Sequence, residues 1–206
     1  MDSKIDTAWN LFLEGKISEA KKLVEQDFSI DTCTDFSLLN LMGYLLLAEK
    51  DYVSCTHIFE KYILLAQQNE DKEKEHIGLH QLAMIYRDQG DFHKALKLIE
   101  DEEKIVEEHF PNDNLKKAVN NYEQGYVRLK LNNLDEALTF MNLSLEQSLE
   151  TDDVISQACS YRGLGEIYLA LEDTELSNRH FKRAIELFES VEEFEGIKEI
   201  EELINR

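Results

Sequence analysis

Proline and glycine are scarce in this chain of 206 residues, which contains 1 proline and 8 glycines. An all-β fold needs turn-forming residues about every 8–12 positions, so this scarcity argues against a sandwich or a barrel. Hydrophobic residues still make up 43% of the chain and charged residues 32%, a composition that supports a buried core. The sequence therefore predicts a folded protein in which sheets play little part.

Positive charge is also in short supply. The 22 lysines and arginines face 43 aspartates and glutamates, which gives a formal net charge of -21. Nucleic acids and anionic membranes are bound by dense cationic surfaces. We therefore expect neither nucleic acid nor a membrane as a partner.

The sequence lacks paired cysteines, a secretory signal and a long apolar segment. Cys33, Cys55 and Cys159 form no C-x-x-C pair, so we expect free thiols in a reducing compartment, without disulfides or a zinc site. Residues 1–6 lack the basic and apolar stretches of a secretory signal. The most apolar run, Leu38 to Ala48, has 11 residues, whereas a membrane span needs about 20. A soluble, cytoplasmic protein is expected.

Apolar residues recur at the spacing of amphipathic helices, as in Leu79, Leu82, Ala83 and Tyr86. Short polar segments interrupt this pattern, and each is followed by a small residue that lets a second helix approach the first closely. These small residues are Ala20, Cys55, Ala95, Ala137 and Ser177. The pattern predicts a series of helical hairpins.

The hairpins repeat. A second set of small residues, one in the first helix of each unit, is separated by 35, 40, 42 and 40 residues: Ala8, Gly43, Ala83, Gly125 and Gly165. The fifth copy reads Tyr161-x2-Leu164-Gly165-x2-Tyr168 and then Ser177-x3-Phe181. This resembles the tetratricopeptide repeat, W-x2-L-G-x2-Y followed by A-x3-F. The resemblance implies an all-α, right-handed superhelical solenoid that is not an enzyme and binds a protein or peptide segment in its concave groove.

The repeats are placed at about 1–34, 36–70, 74–110, 114–150 and 154–190, in a single domain that spans residues 1–206. Residues 191–206 place Phe194, Ile197 and Ile200 at helical spacing with glutamates between them. Terminal repeats need a cap that is apolar on one side and polar on the other. We expect a C-terminal capping helix there.

The later spacings exceed the usual repeat length of about 34 residues. Long repeats of this kind are similar to those of the peptide-sensing regulators of Gram-positive bacteria. We expect no DNA-reading helix-turn-helix before the first repeat, so such a regulator would lack its own DNA-binding domain. The alternative to a plain interaction module is therefore a peptide sensor of this kind.

Catalytic motifs are not recognisable in the sequence. His76 and His80 lie four residues apart, which is the spacing of metal ligands on a helix. A firm site needs three or four ligands, and the others are not visible. We expect no metal and no cofactor.

The family resemblance implies which side chains line the groove: Asn40, Tyr44, His80, Met84, Arg87, Tyr122, Tyr126, Lys130, Arg162 and Glu166. Tyrosines offer flat contact area, and arginine holds carboxylates, so we expect a partner segment that carries a carboxylate. Two other interpretations stay open. Arg162 and Glu166 are four apart and can pair with each other, and Tyr122 and Tyr126 can belong to the core.

The fourth repeat breaks the pattern, because Gln124 and Arg128 stand where the third has Leu82 and Tyr86. A buried arginine without a partner costs several kcal/mol. Either an internal carboxylate pairs with Arg128 or the groove displays it to an acidic ligand. The wealth of acidic residues favours the internal ion pair.

Overall fold

The computed structural model describes residues 2–205, and all regular elements in that range are helices, without a strand. Met1 and Arg206, the outermost residues of the first predicted repeat and of the predicted cap, lie outside the described residues. The α-helices are α1 Asp2–Leu13, α2 Ile17–Val24, α3 Phe36–Ala48, α4 Tyr52–Gln68, α5 Lys72–Asp88, α6 Phe92–His109, α7 Asn114–Lys130, α8 Leu134–Leu149, α9 Val154–Ala170, α10 Thr174–Ser190 and α11 Phe194–Ile204. A short 3₁₀ helix, Glu25–Asp27, follows α2.

The chain divides into two compact units, an N-terminal unit that ends at Leu98 and a C-terminal unit that begins at Ile99. In the N-terminal unit, α1 packs against α2 and α3 against α4. In the C-terminal unit, α7 packs against α8 and α9 against α10, and α11 adds to α10. The predicted all-α architecture of sequential antiparallel helix pairs is confirmed.

Three residues suffice to reverse the chain within a hairpin. Between α9 and α10, Glu172 adopts a left-handed backbone conformation with φ 62°. The next N–H, of Asp173, donates to the Tyr168 carbonyl at 2.9 Å, which caps the end of α9. The Asp173 carboxylate then accepts the Leu176 N–H at 3.0 Å and starts α10. The corresponding left-handed residues of the other hairpins are Gly15, Lys50, Gly90 and Asn132.

The small residues of the repeat pattern lie where paired helices touch. A Cβ at Gly165 would lie 2.5 Å from Phe181 Cδ1 on α10, so the ring packs directly on the backbone of α9. The buried Ser177 Oγ donates to the Gly165 carbonyl at 2.9 Å. Cys55 Sγ makes the equivalent contact with the Gly43 carbonyl at 3.2 Å. The pattern therefore reports close helix contacts.

The C-terminal helix begins later than the sequence predicts. Residues 191–193 form a turn in which Glu192 has φ 58°, and α11 starts at Phe194. Ile200 is fully buried, and Gly196 lies against the Phe188 ring. The apolar side of α11 covers the end of the C-terminal unit, and its glutamates face away from that contact or stay exposed.

The longest apolar run belongs to α3, whose residues 38, 39, 41–43, 45 and 46 are buried. It is a core helix of 13 residues. Across residues 2–205, no helix combines the length and the apolar composition that crossing a membrane requires.

Candidate functional site

The predicted groove residues all lie on the first helices of their pairs. Asn40 and Tyr44 are on α3, and His80, Met84 and Arg87 are on α5. The remaining five lie on α7 and α9: Tyr122, Tyr126, Lys130, Arg162 and Glu166. The two units present these residues in different chemical surroundings.

In the N-terminal unit, Tyr44 belongs to an aromatic cluster. Its ring centroid lies 5.6 Å from that of Trp9 and 5.9 Å from that of Phe12, and Trp9 and Phe12 meet edge to face at 5.7 Å. All three side chains are partly exposed. Burial raises the pKa of the Tyr44 hydroxyl, which hydrogen-bonds Gln81 on α5. We call Trp9, Phe12 and Tyr44 the aromatic face.

Asn40 lies one turn before Tyr44 on α3. Its Oδ1 is buried and accepts no hydrogen bond from any residue that the structure describes. On α5, His80, Met84 and Arg87 are partly buried. The Arg87 Nε lies 3.5 Å from the Asp88 carboxylate, so its charge has a counterion within the chain.

In the C-terminal unit, Arg162 connects three helices. Its Nη2 donates to the Tyr122 hydroxyl on α7 at 2.6 Å, and its Nη1 bonds the Glu199 carboxylate on α11. Its Nε lies 3.9 Å from Glu166 Oε1, one turn along α9. The interpretation in which Arg162 pairs with Glu166 thus holds, within a larger network than spacing alone predicts.

Lys130 and the tyrosines complete this network. Lys130 Nζ lies 3.3 Å from Glu166 Oε2 and 4.5 Å from the centre of the Tyr126 ring. The Tyr122 and Tyr126 rings stack at 6.2 Å, and burial raises the pKa of the Tyr122 hydroxyl, which stays neutral. We call Tyr122, Tyr126, Lys130, Arg162 and Glu166 the charged face. Its cations are neutralised by acids of the same chain.

Arg128 turns inward. Its side chain is 8% exposed, and its Nε lies 2.9 Å from the Glu136 carboxylate, while its Nη2 reaches Glu100 at 3.3 Å. Its Nη1 also donates to Gln124 Oε1 at 2.8 Å. The predicted internal ion pair is confirmed, and Arg128 is not displayed to a ligand.

His76 and His80 lie on α5 in different surroundings. His76 is buried, with its Nε2 3.7 Å from Glu73 Oε1. Among the side chains that can be described, no three His, Cys, Asp or Glu residues converge as metal ligands.

Sequence reasoning missed Trp9, Phe12 and Glu199. A signal for Trp9 was present, because it directly follows Ala8 just as Tyr44 follows Gly43. The degenerate first repeat concealed that register. No sequence signal connects Glu199 to Arg162, since the contact depends on where α11 docks.

Comparisons with known proteins agree with this architecture. Two family models, each described as tetratricopeptide repeat, match residues 114–190 and 78–101. No curated protein is significantly similar to the chain.

Solved structures of low sequence identity share the fold. Kinesin light chain repeats of Podosopora anserina superpose with a TM-score of 0.73 at 15% identity, over 93% of this chain and 95% of theirs. BtubC of P. vanneervenii gives 0.67 at 17% identity, over 99% and 92% of the two chains.

MamA of Desulfovibrio magneticus RS-1 gives 0.63 at 17% identity, over 92% of this chain and 95% of that one. These relatives do not single out the peptide-sensing regulators, so the narrower resemblance is not supported. Proteins of this repeat class are typically non-catalytic. The chain is thus an array of helix pairs of one kind, in which residues 78–101 and 114–190 match tetratricopeptide repeats.

Proposed function

We propose that the chain is a non-catalytic interaction module that binds a segment of a partner protein on its first helices. The observation that carries this proposal is the aromatic face. Trp9, Phe12 and Tyr44 hold one another at ring distances of 5.6–5.9 Å while each stays partly exposed.

The chemistry of these rings suits a protein ligand. Aromatic side chains bury a large area for few rotatable bonds, and they dominate the binding energy of many interfaces. Because the three rings already support one another, little further side-chain entropy is lost on binding. The aromatic face is therefore expected to supply most of the affinity.

The charged face is expected to contribute selectivity. A partner carboxylate reaching Arg162 competes with Glu199, whose side chain is 52% exposed. The Arg162 side chain is only 16% exposed, so it keeps a counterion in either state, and the partner carboxylate replaces one ion pair with another of the same kind. In this proposal, a carboxylate of the partner replaces Glu199 as the counterion of Arg162.

No described contact favours the alternative of a peptide-sensing regulator over the interaction module. A sensor needs a second state that its ligand stabilises.

The proposal is tested with an arrayed library of 12-residue peptides. The tightest binders are titrated against the protein while the emission of Trp9, the single tryptophan of the chain, is followed. We expect Tyr44→Ala to weaken binding about tenfold or more, the effect of a central aromatic contact. Tyr126→Ala and Arg162→Ala should weaken it less.

Tyr52→Ala is the matched control, because Tyr52 lies at the start of α4, a second helix. It should bind as the parent does. If Tyr44→Ala, Tyr126→Ala and Arg162→Ala all keep the parent affinity, the first helices do not carry the interaction.

A further inference from the structure

A cluster of positive charge on α10 lies apart from the two faces described above. Arg179, Lys182 and Arg183 are spaced i, i+3 and i+4, which puts them on one side of the helix. No acidic residue occurs between Glu175 and Glu186. From residue 141 to the end, 16 acidic residues stand against 6 basic ones, and three of those six are in this cluster.

The cluster borders a cleft of about 340 Å³. Tyr161 and His180 line it, with their rings 5.9 Å apart, and the Tyr168 ring stacks on His180 at 5.3 Å. Burial, together with Arg179, lowers the pKa of His180, so its ring is uncharged at neutral pH. The cleft thus has an aromatic wall, and its rim carries three cations and one carboxylate, that of Glu186.

Two of the three cations have no counterion. Arg179 and Lys182 make no ion pair with any acid among the described residues, and both are exposed. Arg183 Nη1 lies 3.0 Å from Glu186 Oε2, and both side chains are about half exposed. In a chain with nearly twice as many acids as bases, unpaired neighbouring cations are unexpected.

The repeat itself does not require these charges. Counted from the small residue that opens each second helix, the equivalent positions carry different side chains in the neighbouring repeats. They are Lys97, Glu100 and Asp101 on α6, and Thr139, Asn142 and Leu143 on α8. Hairpin packing is therefore satisfied without a cationic triplet.

We propose that this cleft, lined by Tyr161, Arg179, Lys182 and Arg183, binds the phosphate group of a phosphorylated side chain on a partner protein. A phosphate monoester carries close to two negative charges at neutral pH and three acceptor oxygens, which three cations on one helix side can engage. The aromatic wall accommodates the side chain that bears it.

The charge distribution of the chain favours a compact anion over an extended one. The net charge of -21 repels nucleic acid and long acidic segments. Screening confines the attraction of the cluster to about 8 Å at physiological ionic strength. A single doubly charged group within that range is attracted by the cluster and is only weakly repelled by the more distant acidic residues of the chain.

The test uses the whole chain, labelled with ¹⁵N, and three probes at pH 7.5: the peptide acetyl-Gly-phosphoserine-Gly-amide, its glutamate analogue, and inorganic phosphate. We expect the phosphopeptide to shift the amide signals of residues 179–183 saturably. Arg179→Gln with Lys182→Gln should raise its dissociation constant about tenfold or more. Glu186→Gln should lower it two- to threefold, because it releases Arg183.

Lys198→Gln is the matched control, since Lys198 is an exposed cation of α11 outside the cleft. It should leave the dissociation constant unchanged. Glutamate-peptide binding as tight as that of the phosphopeptide would overturn phosphate recognition. Equal affinity for inorganic phosphate would overturn recognition of a partner side chain, and no effect of the double variant would overturn the site. None of these results involves Tyr44, Tyr126 or Arg162, so the proposed function is tested separately.

Discussion

Gly165 has no room for a side chain, because the Phe181 ring occupies the space into which a Cβ would project, 2.5 Å away. Phe181 is itself 1% exposed and cannot move outward without opening the core of the C-terminal unit. The same relation holds at Gly43, where a Cβ would lie 2.5 Å from Phe59 Cε2. The absence of a Cβ at these two glycines thus sets how closely the paired helices approach each other.

Replacing Gly165 with leucine should lower the free energy of unfolding by more than about 2 kcal/mol, the effect of overpacking a tight helix contact. Urea denaturation measures the change. Ala170→Leu, at the exposed end of the same helix, should stay within about 0.5 kcal/mol of the parent. A similarly small effect at Gly165 would contradict the close contact.

The thiol of Cys55 is shielded by the packing of α4 on α3. It is fully buried, and burial raises the pKa of the thiol to about 12. Since the thiolate is the nucleophile, we expect iodoacetamide to modify Cys55 only after denaturation. Cys33, which is partly exposed, serves as the internal reference in a mass-spectrometric time course. Labelling of native Cys55 as fast as Cys33 would show that the α3–α4 contact opens readily.

At the scale of helices, the hairpin turns carry a conformational strain. Lys50, Asn132 and Glu172 adopt positive φ, where a residue with a Cβ is less stable by about 1–2 kcal/mol than in the right-handed region. In two other hairpins, glycine occupies this position, as Gly15 and Gly90. The array therefore tolerates a local cost to keep its turns short.

Glu172→Gly should raise the free energy of unfolding by about 0.5–1 kcal/mol, because relief of the strain exceeds the backbone entropy that glycine loses on folding. Thermal and chemical denaturation both report it. Glu175→Gly, three residues later in the first turn of α10, should instead destabilise by about 1 kcal/mol. Equal effects of the two changes would remove the argument from turn geometry.

The start of α7 depends on an ionised carboxylate. Partial burial acts to raise the pKa of Asp113. The hydrogen bonds from the backbone N–H and Nζ of Lys116, at 3.0 and 2.9 Å, act in the opposite direction and are stronger, so the net effect is a lowered pKa. The stabilisation is complete above the unfolded pKa of about 3.9 and is lost as the pH falls through the lower folded pKa.

Asp113→Ala should cost about 1 kcal/mol at pH 7, and its difference from the parent should shrink in strong acid. Asp113→Asn keeps a capping oxygen that does not titrate, so its stability relative to the alanine variant should not change with pH. Urea denaturation between pH 2 and 7 measures both differences. A gap between parent and alanine variant that is constant over this range would show that the cap acts without its charge.

For the molecule as a whole, the excess of acidic residues opposes folding. A net charge of -21 produces self-repulsion that is strongest at low ionic strength. Raising NaCl from 10 to 200 mM should therefore raise the melting temperature, by roughly 2–4 °C for each kcal/mol of repulsion relieved. Sucrose solutions of the same osmolality are the control, because they reproduce the exclusion of solute from the protein surface without screening its charges. A falling melting temperature would mean that the exposed ion pairs outweigh the repulsion.

Sequence periodicity was sufficient to predict the helix pairs, because the spacing of apolar and small residues directly reflects how the helices pack. Gly165 and Ser177 mark one such contact, and both lie where the pattern predicts. The inward turn of Arg128 also followed from sequence, since a buried cation needs a carboxylate. The partners Glu100 and Glu136 could not be chosen in advance, because many glutamates are near in sequence.

The state of the candidate site was less predictable. The role of Arg162 depends on Glu199, 37 residues away, and on the docking of a short terminal helix. Trp9 lies in a repeat that departs from the pattern, so its register is clear only once its contact with Tyr44 is known. Repeat patterns identify which positions are equivalent, whereas charge pairing depends on the individual side chains.

The polar ladder along α7 limits which neighbour that helix accepts. Asn120 Nδ2 donates to the Ile99 carbonyl and to Glu102, Gln124 Nε2 donates to Asn120 Oδ1, and Gln124 in turn accepts from Arg128. An apolar helix placed against this surface would remove the contact of the buried Asn120 Nδ2 with Glu102, and an unsatisfied buried donor costs about 1–3 kcal/mol. Tandem repeats are prone to pairing out of order or with a second chain. In this chain, the polar side chains of α7 find their hydrogen-bond partners in the second half of α6. The fourth repeat is therefore expected to pair there in preference to an apolar helix of another repeat.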